Sequence, residues 1–341
     1  MKKVFVLITS LILSLIFFIF AGCGKAGPLD VFTNAFDKNN TVTIGYSEKN
    51  TYSVTYTNNY KFENFDYSAD DSLNNIGIAF DNGVFTTELK VLKIADFTEN
   101  KDSDILSSMS EDQKSSLYVF KYETTLSIDA IYSFDGNSET CSDYVYSVCY
   151  FLPINNQLAP LYSKTENKSA IISVSDSLHI TKNHFVSIVS YNKDSYTMDK
   201  YAYDYDDTEL TSPLSHTNND GKVYAYNYNS LIDNASLLFA IRNLNIEKEK
   251  ETTVPVVSPS YEKAVNLSIA YSSDFTEKDT IGNEYAVKLI TFVNGESNVS
   301  GKKQLTFIDK DNAKLIKMVT PLSEYSIHFK SIGALVYTLS E

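Results

Sequence analysis

The chain has no tryptophan, one arginine (Arg242), four histidines and three cysteines among its 341 residues. Each scarcity excludes something. Three cysteines do not make a disulfide scaffold. The histidine stock is His179, His184, His216 and His328. His179 and His184 have no carboxylate or cysteine close in sequence, so they read as solvated turn residues, and no zinc centre is expected. The Gly-x-Ser-x-Gly elbow of serine hydrolases is missing. A phosphate loop is missing too. Gly295 to Lys302 is one residue too long for one, and Lys303 stands where a magnesium-binding hydroxyl is needed. Two Ser-x-x-Lys pairs, Ser260 with Lys263 and Ser300 with Lys303, fall at a linker edge and a turn. Neither has the helix that would bring the lysine one turn from the serine. Basic charge is also short: 29 Lys and Arg face 43 Asp and Glu, a net charge of −14. That excludes a general nucleic-acid binder, which needs a basic surface to displace counterions. No enzyme, cofactor or metal is expected.

What is present begins at the N-terminus. Met1-Lys2-Lys3 is a short basic start, and Val4 to Phe20 is an apolar run softened only by Thr9, Ser10 and Ser14. Ala21-Gly22-Cys23 follows. A basic start, an apolar stretch and small residues before a cleavage point make an export signal. Ala21-Gly22-Cys23 resembles the lipobox of bacterial lipoproteins, with Phe20 where that family favours Leu. The resemblance covers residues 1–23. It implies that the Cys23 thiol receives diacylglycerol and becomes the new N-terminus, placing the chain on the extracytoplasmic face of the cell membrane. Residues 1–22 are then the signal peptide and 23–40 a lipidated tether, in which Gly24 to Pro28 is extended and Leu29, Phe32 and Phe36 form an amphipathic turn. Cleavage removes Lys2 and Lys3 and leaves 27 basic against 43 acidic groups. A body so acidic is repelled by anionic head groups, a geometry that a stretched tether suits.

The rest of the chain reads as strands, and its apolar share of 43% is enough for a sizeable core. Apolar and polar residues alternate at Tyr52 to Tyr56, Phe85 to Val91, Tyr118 to Ile128, Tyr144 to Leu152 and Val265 to Tyr271. Asp81-Asn82-Gly83 and Asn294-Gly295 read as turns between strands. If Cys141 to Cys149 is one strand, the two lie ~26 Å apart, beyond disulfide reach, and only a turn at Ser142-Asp143 would join them, so free thiols are expected. Helical periodicity is confined to Ser230–Leu244 and, more weakly, Ile105–Ser116. The expected fold is mainly β, an antiparallel β-sandwich architecture with one or two short helices and two β-rich domains. The N-terminal β-rich domain is placed at 41–246 and a C-terminal sandwich-like domain at 261–341. Between them Glu247–Glu251 is solvated charge, followed by Pro255 and Pro259, so 247–260 reads as a linker.

Tyrosine is the enriched type that binding can use, with 25 copies. Tyr201-Ala202-Tyr203-Asp204-Tyr205-Asp206 is echoed by Tyr224-Ala225-Tyr226-Asn227-Tyr228-Asn229. Paired as hairpin arms, with Tyr203 opposite Tyr226, Tyr201 opposite Tyr228 and Tyr205 opposite Tyr224, they put six rings on one face, either core or partner surface. Asp204, Asp206, Asp207 and Glu209 form the densest acidic cluster, but Glu209 stands where a calcium loop needs glycine, so a solvated strand face is expected. These features lead to a membrane-anchored, non-enzymatic binding or scaffolding module, attached through the lipid on Cys23 and serving a protein or polymer partner. The rival readings are a lipid-tethered solute or glycan receptor and an extracytoplasmic hydrolase.

Overall fold

The computed structural model describes residues 45–340, apart from 74–75, 135, 155–156, 175–177, 223–230, 244–245, 293–302 and 324–329. Cys23, the tether, His328 and Asn294-Gly295 lie outside the described residues. Alternating segments form strands where expected: β1 (Ser47–Thr57), β4 (Ile76–Lys93), β5 (Tyr118–Phe134), β6 (Asn137–Ile154) and β13 (Lys263–Lys278). A small ribbon, β2 (Lys61–Phe62) and β3 (Phe65–Asp66), follows β1. The remaining strands are β7 (Gln157–Val174), β8 (Leu178–Tyr191), β9 (Ser195–Tyr203), β10 (Ser215–Lys222), β11 (Ile232–Asp233), β12 (Glu251–Ser258), β14 (Glu284–Phe292), β15 (Gln304–Asp309), β16 (Leu315–Ser323) and β17 (Ser331–Leu339). Burial follows the period of two: along β4, Phe85, Thr87, Leu89 and Val91 are all buried, one on every second residue.

In place of a two-domain sandwich, the described strands form one fifteen-stranded sheet, ordered β10-β9-β8-β7-β6-β5-β4-β1-β17-β16-β15-β14-β13-β12-β11, with the small ribbon beside it. β1 is the reason. It pairs antiparallel with β4 on one edge and with β17 on the other, so the first strand joins the N-terminal strands to the C-terminal ones. All pairs in the large sheet are antiparallel except β11 with β12. The expected linker is itself structure. Glu251–Ser258 is β12, and Val254, Val256, Val257 and Ser258 are buried. Pro255 sits inside this strand. It is tolerated because β12 lies next to the sheet's end, with only two residues of β11 on its far side.

Asp81-Asn82-Gly83 is a bulge within β4, where the register to β5 shifts between Asp81 and Val84. Asn82 has φ 53°, the left-handed region that Asn accepts. Gly83 is opposite Val54, and a Cβ there would lie 2.5 Å from the Val54 carbonyl oxygen. The same Asn-Gly chemistry that makes a hairpin turn therefore lets a long strand bend without ending.

Helical structure is shorter than expected. α1 (Asp104–Ser107) and α2 (Glu111–Ser116) occupy the weaker window, each capped at its start by a serine, Ser103 and Ser110. In the stronger window a 3-10 turn, Asn234–Ser236, leads into α3 (Leu237–Arg242). Asp233 starts it by accepting the Ala235 amide at 2.7 Å. This segment packs inside the sheet. Leu237, Ala240 and Ile241 join the core made with the C-terminal strands. Ala235 and Phe239 join Phe120, Tyr122, Cys149 and Phe151 from the N-terminal strands. The Phe239 ring centre is 5.3 Å from Phe151 and 5.7 Å from Tyr122. Arg242 is buried, with Nη1 2.8 Å and Nη2 3.1 Å from the two Glu48 carboxylate oxygens and Nε donating to the Ala313 carbonyl at 2.7 Å. The sheet curls until β9 and β10 reach the turn between β12 and β13. There Glu262 accepts from Lys200 Nζ at 3.2 Å and Asn219 Nδ2 at 2.8 Å, and the Ala264 amide donates to the Tyr196 hydroxyl.

Candidate binding face

The expected tyrosine hairpin does not form around β9, because both of its edges are taken. Tyr203 is opposite His184 of β8, and Tyr201 is opposite Val186 of β8 and His216 of β10. Tyr224, Tyr226 and Tyr228 lie outside the described residues. The partner strand is the polar stretch Ser215–Lys222. It has no apolar alternation to announce it. It is held instead by contacts such as Tyr196 over Gly221, where a Cβ would fall within 1.9 Å of the ring.

Tyr201, Tyr203 and Tyr205 are half-buried. The Tyr201 ring stacks on His216, 4.4 Å between centres at an interplanar angle of 6°. Asp199 fixes that imidazole: His216 Nε2 is 2.8 Å from Asp199 Oδ1, which also accepts Asn218 Nδ2 at 2.8 Å. The Asn218 hydrogen bond outweighs burial and, with His216, holds the Asp199 carboxyl below its usual range. Tyr203 lies 5.9 Å from the His184 ring. Burial raises its hydroxyl pKa, and Tyr201 and Asp207 add to the rise.

His184 overturns the expectation of a solvated turn residue. It is on strand β8, 4% exposed. Nε2 lies 3.2 Å from Glu166 Oε1 and Nδ1 lies 3.3 Å from the Asp204 carbonyl. Glu166 comes from β7, so the partner is next to it in space though 18 residues away in sequence. His179 is exposed, but it too lies on strand β8 and not in a turn. Tyr205 follows β9 and folds back. Its hydroxyl donates to the Ser142 carbonyl at 3.0 Å, and Lys168 Nζ sits 4.3 Å over its ring, with Lys182 at 5.4 Å. Asp204 and Asp207 are in turns, not on a strand face, where they accept the amides of Asp206, Glu209 and Leu210. Among the described residues no cluster of His, Cys, Asp or Glu could hold a metal ion.

The same face continues inward along the register. Tyr201 leads through Val186 to Glu166 and Tyr146, and Tyr203 leads through His184 to Lys168 and Tyr144. Tyr146 donates to Glu123 and Tyr150 to Glu99, each at 2.8 Å. Tyr144, Tyr146, Glu166 and His184 were missed as site residues. The strand of Tyr144 and Tyr146 was legible, but those of Glu166 and His184, and the register that gathers all four, were not. Cys141 and Cys149, both on β6, are free and buried, and burial pushes both thiols up, away from nucleophile chemistry.

No family model matches this chain, and no curated protein matches it. Among solved structures it is similar to a Beta-barrel-like Protein of Domain of Unknown Function DUF1849 from Brucella abortus. The two are 8% identical, with a TM-score of 0.40, over 88% of this chain and 98% of the other. So distant a likeness carries no argument about function.

Proposed function

We propose that the protein is an extracytoplasmic lipoprotein acting as a non-enzymatic binding or scaffolding module, tethered by diacylglycerol on Cys23 and offering the Tyr201–His216 face to a protein or polymer partner. The observation that carries the binding reading is the stacked Tyr201–His216 pair with Asp199 behind it, a preset aromatic and polar surface on an exposed strand. His184 and His216 each point at a carboxylate, which fixes the orientation of both rings on this face. The anchoring part rests on Ala21-Gly22-Cys23 after an apolar run.

The test uses the full chain in its native membrane. Cys23→Ala should leave the membrane fraction or accumulate unprocessed, whereas wild type partitions into detergent. Tyr201→Ala with His216→Ala should keep its circular dichroism and lose a chemically crosslinked partner. A wild type that incorporates no labelled fatty acid, or labelling that survives Cys23→Ala, would refute lipid anchoring. A crosslink pattern unchanged in the double variant would refute the face.

A further inference from the structure

His184 meets two acceptors that a neutral imidazole cannot both satisfy. Its Nε2 lies 3.2 Å from Glu166 Oε1 on β7, and its Nδ1 lies 3.3 Å from the carbonyl oxygen of Asp204, the first residue after β9. A carbonyl only accepts, and so does an ionised carboxylate, so both ring nitrogens have to donate. Neutral imidazole carries one N–H. The two contacts together therefore need one proton beyond neutral His184 and ionised Glu166. It is held either as an imidazolium beside a carboxylate or as a carboxyl that donates to the ring, and it belongs to the pair. The ring is buried, and the Glu166 side chain beside it is 21% exposed.

What that proton holds is a strap. Residues 204–214 run from β9 to β10 as turns, with amides of Asp206, Glu209 and Leu210 taken up by the strap's own Asp204 and Asp207. The strap meets the sheet at His184 and, one residue on, where the Tyr205 hydroxyl donates to the Ser142 carbonyl with Lys168 over its ring. The Tyr203 ring, at the end of β9, packs 5.9 Å from the same imidazole. Charged and titratable groups face His184 from each side. β7 supplies Glu166 and Lys168, β6 supplies Tyr144, and β9 and the strap supply Tyr203 and, beside it, Asp207. Lys182, next along β8, is paired with Glu139 of β6 at 2.8 Å. Glu166 attracts a cationic ring, and Lys168, opposite it in the register, repels one. Imidazoles change charge between about pH 5 and 8. When the shared proton leaves, one N–H remains for two acceptors. The carboxylate is the stronger acceptor and keeps it, and Nδ1 then turns a lone pair on the Asp204 carbonyl.

We infer that the proton shared by Glu166 and His184 clamps the 204–214 strap, which closes in acid and loosens as pH rises, so that the tyrosine face is preset in one state and released in the other. The clamp stands on its own geometry; that it governs binding rests on the function proposed for that face. Hydrogen exchange of residues 204–214, read by mass spectrometry on the full chain in detergent and corrected for intrinsic rates, tests it from pH 5 to 8. Wild type should lose protection at least fivefold as pH rises. Glu166→Gln should keep it at pH 8, because the amide donates to Nε2 and leaves the Nδ1 hydrogen for Asp204. His184→Phe, with no donor, should lack it even at pH 5. His216→Asn should leave the exchange profile of the strap in place. Protection indifferent to pH in wild type overturns the proposal, as does a response that survives in Glu166→Gln or vanishes in His216→Asn. If His184→Phe fails to fold by circular dichroism, Glu166→Gln decides. Chemical crosslinking at pH 5 and 8 then tests the regulation: a partner lost at pH 8 by wild type and kept by Glu166→Gln is expected. A crosslink indifferent to pH in a chain whose strap responds overturns the regulation. No crosslink at either pH, with exchange as expected, refutes the binding face and leaves the clamp standing.

Discussion

Replacing Arg242, the chain's one arginine, tests how the curled sheet is fastened around α3. Its guanidinium donates to both oxygens of Glu48 in β1 and to the Ala313 carbonyl between β15 and β16. Burial alone would raise the Glu48 carboxyl; Arg242, helped by Asn50, brings it below its ordinary value instead. Arg242→Met leaves Glu48 without its counter-charge, a loss of about 3–5 kcal/mol, reduced toward the lower figure because the Glu48 side chain keeps 19% exposure. Arg242→Lys keeps a charge but not the fork that reaches three acceptors, and should lose about 2–3 kcal/mol. Unfolding entropy of about 2.1 cal/mol/K per residue over about 300 residues turns 3 kcal/mol into a Tm drop of about 5 °C. Urea unfolding followed by tyrosine fluorescence measures this. The double variant Glu48→Gln, Arg242→Met should be less damaged than the sum of its parts, by about 1.5–3 kcal/mol. Because the folded Glu48 carboxyl is depressed, its contribution is complete above the unfolded value of about 4.3 and fades as pH falls through the folded one. An Arg242→Met protein within 1 kcal/mol of wild type, or strictly additive single losses, would refute this account.

Asp143 titrates in the opposite sense. Burial lifts its carboxyl to about 6, against the Ala170 amide it accepts, so the folded state holds the proton more tightly than the unfolded one. Its effect is to lower stability as pH rises from about 4 to 6, and Asp143→Asn should flatten that slope and gain about 1–3 kcal/mol at pH 7, read from urea midpoints across pH. Gly83→Ala drives a methyl group into the Val54 backbone and should cost about 2–4 kcal/mol by the same unfolding assay; a loss under 0.5 kcal/mol would mean that the bulge is slack. A thiol reagent should leave Cys141 and Cys149 untouched in the native protein and titrate both in denaturant, and rapid native labelling would contradict their burial.

The strands that the sequence announces are those with one face in the core, since burial itself writes the alternation seen at Phe85, Leu89 and Val91. β10 escapes notice because its exposed Ser215–Lys222 has no apolar face to alternate. β12 escapes for the opposite reason: its consecutive residues Val254, Val256, Val257 and Ser258 are buried, so charge and proline on either side dominate the reading. The tyrosines of the candidate face are visible as residues, but not their partners. Glu166 meets His184 and His216 meets Tyr201 through register alone, and register is set by which strand lies beside which. That also decides the sheet count, since nothing local in Ser47–Thr57 says that it will sit between β4 and β17.

The placement of β1 has a consequence for the order in which this molecule can mature. A chain that emerges N-terminus first presents β1 early, but one of its two edges stays open until Ser331–Leu339 arrives opposite Tyr52 to Thr57. Until then the half-built sheet shows an unsatisfied ladder; neighbouring strands elsewhere follow one another in sequence, and this one pairing must wait for strands far apart in the chain. The nine residues of Ser331–Leu339 act as a clasp on an otherwise open garment. Losing that short segment would undo far more of the architecture than its length suggests.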